Sequence, residues 1–265
     1  MKYWIFLIAF NYVSIVFAQS LQEEKKLLAT DVYSVSVDPL QQIYYINKNK
    51  QLIKSSSIQD KNYIYSDLMI DQNTSIYTDN PFKVLLYKKD IGDVIILDNR
   101  LTKNSKINLF NLGYFSVSSI NNAMDNQSII LFDTDRQQFI KLDQQNKEVF
   151  QSINMAQLLQ KRISPTQIKE FENKLYLLDP QTGIYIFDQL GTFIKNIPIE
   201  KAYNFWIISK QIYFYRDQQI WLYNSELFEE IPQYRLDDYT NISLCRDFIL
   251  GITPQNELYQ IHWKN

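Results

Sequence analysis

The sequence predicts an all-β protein, a six-bladed β-propeller of four-stranded antiparallel blades, closed by an N-terminal strand that completes blade six. Three observations predict it. An apolar, β-branched and aromatic run recurs six times: IYYI from Ile43, VLLY from Val84, IILF from Ile129, LYLL from Leu175, IYFY from Ile212 and ILGI from Ile249. Ile43 and Ile249 are 206 residues apart over five steps, about 41 per step, which is a propeller period. Each run is followed by a polar break and a second run (QLIK, DVIILD, QFIKLD, GIYIFD, QIWLYN, ELYQIH), as in a hairpin.

The first run of each pair is apolar at successive positions, so a sheet covered on one face only would expose half its side chains. Both faces must be buried, as they are between neighbouring blades. The breaks INKNKQ, DTDRQQ, DPQTG, YRDQQI and TPQNE supply turn-forming Asn, Asp, Pro or Gly. With only five glycines in 265 residues, Asn and Asp must do much of the turn work.

Flanking segments complete the blades. Residues 33–38, 75–79, 115–121, 166–172, 205–209 and 239–245 read as innermost strands, and 63–67, 106–110, 148–153, 192–199 and 227–231 as outer strands. Blade six lacks its outer strand. An unpaired edge is a liability, so the segment EKKLLAT, residues 24–30, is expected to pair there and to bury Leu27 and Leu28. Between Ile153 and Pro165, Met155, Leu158 and Leu159 fall at helical spacing after Asn154, an N-cap residue type. A short helix lying over the strand ends is expected.

Residues 1–18, MKYWIFLIAFNYVSIVFA, carry an early Lys2, an apolar run and a small residue before Gln19, the layout of a signal peptide cleaved near Ala18. Residues 19–265 then form one propeller domain, expected to be exported to a periplasm or outside the cell and to be monomeric. No later stretch is long and apolar enough to cross a membrane. Cys245 is the only cysteine, so no internal disulfide can form; it reads as a small buried hydrophobe. A net charge of -2 gives no basic surface for nucleic acid.

At YSVSVDPLQQIYYINKNKQLIKS the first blade resembles an NHL-type or TolB-like repeat of a six-bladed propeller. An inner strand ends in Asp-Pro, an IYYI-type second strand follows, and a third strand closes on Leu-Ile-Lys. Blade four, NKLYLLDPQTGIYIFDQLGTFIKNIPI, has the same cadence. The glycine usual after the inner-strand aspartate is absent, as are a WD dipeptide, a Kelch double glycine and a YWTD tetrad.

Chemistry is thinly marked. A single histidine, His262, gives little basis for a Ser-His-Asp triad or a multi-histidine metal site unless other groups replace most of the usual parts, and no G-x-S-x-G elbow or phosphate-cradling loop is present. No cofactor is expected. Calcium has partial support at Asp133 and Asp135, without the turn glycine and distal glutamate of a calcium loop. Asp133, Asp179 and Asp217 read first as turn caps. Blade five is the most aromatic, with Phe205, Trp206, Tyr213, Phe214, Tyr215, Trp221 and Tyr223; packing between blades is the preferred reading over a stacking platform for sugars.

Ligands of propellers commonly meet the end formed by inter-blade loops and second-to-third-strand hairpins. Lys88, Asp90, Asp93, Arg136, Thr182 and Arg216 are the candidate contacts there, facing a protein, a glycan or a small polar ligand. The expectation is an exported, non-enzymatic binding scaffold. The alternatives are an enzyme similar to propeller lactonases and hydrolases, with a carboxylate-bound divalent ion, and a scaffold for envelope assembly.

Overall fold

The computed structural model describes residues 25–55 and 62–263. The expected signal peptide and its cleavage point lie outside the described residues. Among the described residues, twenty-four strands form six four-stranded antiparallel sheets arranged as the blades of a propeller.

Strand β1 (Lys25–Ala29) precedes blade one, which is β2 (Val32–Val37), β3 (Ile43–Asn47), β4 (Gln51–Ser55) and β5 (Asn62–Ser66). Blade two is β6 (Thr74–Tyr77), β7 (Val84–Lys88), β8 (Asp93–Leu97) and β9 (Lys103–Asn108). Blade three is β10 (Val117–Asn122), β11 (Ile129–Asp133), β12 (Gln138–Leu142) and β13 (Glu148–Gln151). After helix α1 (Met155–Leu159) comes blade four: β14 (Gln167–Phe171), β15 (Lys174–Asp179), β16 (Gly183–Asp188) and β17 (Phe193–Ile197). Blade five is β18 (Asn204–Ile208), β19 (Gln211–Arg216), β20 (Gln219–Asn224) and β21 (Glu229–Arg235). Blade six is β22 (Asn241–Leu244), β23 (Phe248–Ile252) and β24 (Leu258–His262), with β1 as its fourth strand.

The doubly buried second strands are observed. Val84 to Tyr87, Ile129 to Asp133 and Phe248 to Ile252 are buried at every position. Their side chains alternate between the two neighbouring blades, and the core is accordingly six clusters, one in each gap. The gap between blades six and one holds Val32, Val35, Ile43, Leu250 and Leu258, with Leu28 and Ala29 of β1 packed against them.

Closure by β1 follows the expectation, with one correction. Lys25, Lys26, Leu27 and Ala29 pair with Ile261, Gln260, Tyr259 and Leu258, with a bulge at Leu28. Leu28 packs into the core, but Leu27 is 48% exposed. A terminal strand on the rim buries one face only, and alternation turns Leu27 outward.

Asp and Asn close turns chiefly by side-chain capping. Asp38, Asp98, Asp143 and Asp188 each accept backbone N–H bonds from the residues two and four positions on, and Asn47 does the same for Asn49 and Gln51. The residue three positions on takes positive φ: Gln41, Leu101, Asn146, Gly191 and Lys50 respectively. The capped turn is stable enough to hold Gln, Leu or Lys in the left-handed region, at a cost of about 1 kcal/mol or more each. That is how the chain manages on few glycines.

Helix α1 starts at Asn154, whose side chain accepts from Gln157 N at 3.0 Å. Met155 and Leu159 pack into the gap between blades three and four, and Met155 N donates to Gln137 O at 2.7 Å. The helix seals that gap, as a lid over strand ends would.

Candidate functional site: two cups on the propeller axis

The six innermost strands β2, β6, β10, β14, β18 and β22 surround the axis. Two cavities lie along it. One, of about 480 Å³, opens where these strands finish; Val37, Lys169, Phe171, Trp206, Leu244 and Arg246 are among the residues around it. The other, of about 410 Å³, opens where the strands begin and is lined largely by polar side chains, including Ser34, Ser36, Thr74, Thr166, Gln167 and Asn204. Val37, Asp79, Lys169 and Trp206 line both, and so form the waist between two cups.

The waist is a bridge of three blades. Lys169 Nζ of blade four lies 2.6 Å from Asp79 Oδ1, beyond the end of β6 in blade two. Asn121 Nδ2 of blade three donates to Asp79 Oδ2 at 2.5 Å and to Ile168 O at 2.8 Å. In β14 the pattern QIKEF sends Ile168 into the gap between blades three and four and Lys169 to the axis. Burial pushes the Asp79 carboxyl up, but the Lys169 charge and the hydrogen bonds from Lys169 and Asn121 together hold it below the usual carboxylate range.

That depression has a sign. A carboxyl lowered in the folded state stabilises above its unfolded pKa of about 3.9, and the contribution disappears as pH falls through the folded value. Lys169→Met is therefore expected to lower stability by about 1 kcal/mol at neutral pH, since the pair is partly solvated. The gap from the parent should shrink to nothing in acid. Paired thermal melts across pH 2 to 7 check this; an undiminished gap in acid would assign the loss to packing alone.

The other acids near the larger cup are spoken for. Asp38 accepts from Leu40 N, Gln42 N and Tyr44 Oη, each at 2.9 Å. Glu170 pairs with Lys141 at 2.6 Å and accepts from Met124 N at 2.8 Å. Cys245 also lines this cup, but burial pushes its thiol up to about 11, and it donates to Phe248 O at 3.3 Å. A thiol so placed is protonated at neutral pH and is a poor nucleophile.

The six candidate residues stand at the end of the smaller cup but line neither cup. They brace the blades locally. Lys88 pairs with Asp71; Asp93 pairs with Lys106 at 2.7 Å and accepts from Asn108 at 2.8 Å. Asp90 sits exposed on a single 3-10 turn. Arg136 lies 4.7 Å over the Tyr114 ring and 3.4 Å from both Asp133 and Glu148. Thr182 accepts from Tyr185 Oη at 2.9 Å, and Arg216 pairs with Glu230 while lying over Phe214 and Trp221. Lys88, Asp90 and Asp93 share the blade-two hairpin, where Lys88 and Asp93 are cross-strand partners; Arg136, Thr182 and Arg216 belong to blades three, four and five.

Asp133 and Asp135 do not converge. Asp133 caps its own turn through Asp135 N and Arg136 N, while Asp135 accepts from Ser116 Oγ at 2.6 Å. Asp179 likewise caps Gln181 N and Ser164 N. Asp217 is exposed, 3.9 Å from Arg216. Among the described residues no group of three or more His, Cys, Asp or Glu is placed to hold a metal ion. His262 is exposed at the end of β24. All seven blade-five aromatics pack in the gaps on either side of blade five, and Trp206 alone also lines the axial cups. Asp79, Asn121 and Lys169 were not marked by any motif, and their only sequence signal is a polar residue inside an innermost strand or at its end.

No protein-family model and no curated protein matches the sequence. Solved structures do match the fold. Virginiamycin B lyase from Staphylococcus aureus superposes with a TM-score of 0.62 at 10% identity, over 92% of this chain and 99% of that one. BamB from Moraxella catarrhalis gives 0.50 at 11%, over 88% and 84%. PorZ, a bacterial surface component of the type-IX secretion system of Porphyromonas gingivalis, gives 0.50 at 14%, over 88% of this chain and 33% of that one. The chain is a six-bladed β-propeller, similar in fold to a lyase and to proteins of other roles alike.

Proposed function

We propose that the protein is an exported, non-enzymatic scaffold that holds a ligand in the larger axial cup. The observation that carries this is the composition of that cup: an aromatic and aliphatic wall over a floor where Asp79 and Lys169 neutralise each other. Ligand sites are typically concave, mostly apolar and fitted with a few placed polar groups. An acid or base poised for catalysis would instead have its pKa moved toward neutrality and a face open to substrate. The waist does the opposite to Asp79, and Cys245 is pushed away from neutrality. Asp38, whose pKa burial raises, has both oxygens taken by Leu40 N, Gln42 N and Tyr44 Oη. Fold likeness does not choose, because function resides in the site. Export is supported by residues 1–18 alone.

The test is native mass spectrometry of the protein incubated with a small-molecule extract. A component should bind the parent, be lost on Ser209→Trp, which fills the cup, and be recovered chemically unchanged. Turnover of the component, or binding indifferent to the filled cup, would overturn the reading.

A second reading is favoured at the opposite end. Leu68, Phe115 and Tyr203, on three inter-blade connections, are 83%, 68% and 65% exposed. Together with Lys88, Asp90, Asp93, Arg136, Thr182 and Arg216 they would offer a protein partner, such as an envelope assembly component, a mixed apolar and charged rim. A photocrosslinker at Phe115 that captures no protein in the producing cell would remove it.

A further inference from the structure

We infer that the larger cup is built for an uncharged pyranose sugar of one or two rings; this rests on reading that cup as the ligand site. Charge comes first. Three acids, Asp38, Asp79 and Glu170, and two bases, Lys169 and Arg246, line the cup, and Lys141 supplies the third base from behind Glu170. A cation would find every lining acid already engaged, Asp38 by Tyr44 and the Lys54 charge, Asp79 by Lys169 and Glu170 by Lys141. An anion at the floor would face the Asp79 carboxylate with only the exposed Arg246 added to oppose it. Either would shed its water at a cost. Phosphates, nucleotides and free amines are disfavoured on this ground.

An entirely apolar ligand fails for the complementary reason. It would cover the Asp79–Lys169 pair and take away its remaining solvation without replacing it. The floor needs hydroxyls. Lys169 spends one N–H on Asp79, which leaves two donors, and the Asp79 carboxylate keeps lone pairs beyond those used by Lys169 and Asn121. Adjacent ring hydroxyls, each both donor and acceptor, can give a proton to Asp79 and accept one from Lys169 at the same time.

The wall needs an apolar face. Trp206 stands at the waist with Phe171 on the neighbouring blade, each half-buried and packed against an inter-blade cluster as well as lining the cup. A pyranose presents C–H groups on one face and hydroxyls around its edge, which is the pairing of surfaces this cup offers. At about 480 Å³ the cup lies within the size range of small-molecule sites.

The probes are methyl glycosides of glucose, galactose, mannose and N-acetylglucosamine and their β-linked disaccharides, followed by saturation-transfer NMR and tryptophan fluorescence. At least one is expected to bind saturably, with affinity insensitive to salt, and to lose about tenfold or more on Trp206→Ala and on Lys169→Met. Leu190→Ala, on a remote rim hairpin, should leave binding unchanged, and the melting curves report whether each variant is folded. Glucuronate, glucosamine and inorganic phosphate serve as charged comparators. Equal or tighter binding of a charged comparator would overturn the inference, as would sugar binding that survives Trp206→Ala in a folded variant. If no sugar binds at millimolar concentration, the inference also fails, while loss of extract binding on Ser209→Trp would still uphold the cup as the site.

Discussion

A chain shortened to begin at Asp31 is expected to melt well below the longer chain and to aggregate on heating. Removing β1 deletes the ladder to β24 and uncovers Tyr259 and Ile261 along an unpaired edge. The strand's net hydrogen bonds, near 1 kcal/mol each, and the partial burial of Leu28 put the expected loss at about 3 kcal/mol. For a domain of this size that is a fall in Tm of roughly 6–12 °C. Two single substitutions separate the causes. Leu28→Ala should cost more than Leu27→Ala, because only Leu28 enters the gap between blades six and one. Differential scanning calorimetry of the three variants checks the ranking; an unchanged Tm for the shortened chain would mean that the ring closes without β1.

The closing strand was legible because it answered a topological need, and the blades were legible because burial on both faces leaves a run of apolar residues that no half-exposed sheet tolerates. Val84 to Tyr87 is such a run, and every position in it is buried. The axial site was not legible in the same way. A side chain facing a narrow channel has the same polar character as one facing bulk water, so Lys169 in QIKEF looks like any solvent-facing strand residue. Its partner Asp79 lies 90 positions away, and only the ring brings them together. Trp206 was hidden because it packs against an inter-blade cluster as the six neighbouring aromatics do and differs from them only in also lining the cups. The charged hairpins drew attention because charge is visible in a sequence, but Arg136 and Arg216 lie over aromatic rings and pair with acids of their own blades.

Gly183→Ala is expected to be among the most damaging single-methyl changes in the chain, costing about 3–5 kcal/mol. Gly183 opens β16 with φ at +103°, a conformation that L side chains rarely adopt, and forcing one there costs roughly 1–3 kcal/mol. Space adds a second penalty. An added Cβ would fall 2.0 Å from Ile197 O and 2.6 Å from Ile199 N, backbone atoms that cannot swing aside like the end of a long side chain. Ile197 and Ile199 are themselves buried in the gap between blades four and five, so moving them disturbs that core, at a further 1–3 kcal/mol or so. Gly113→Ala is the control: its φ is +83°, but the nearest atom to an added Cβ is the Arg136 guanidinium at 3.8 Å, which leaves strain without a clash. Urea unfolding of the two variants should therefore separate them by about 2 kcal/mol or more, with the m-value kept. Equal losses would show that the backbone of blade four yields where Ile197 and Ile199 pass Gly183, and that the packed gap beside it is softer than its burial implies.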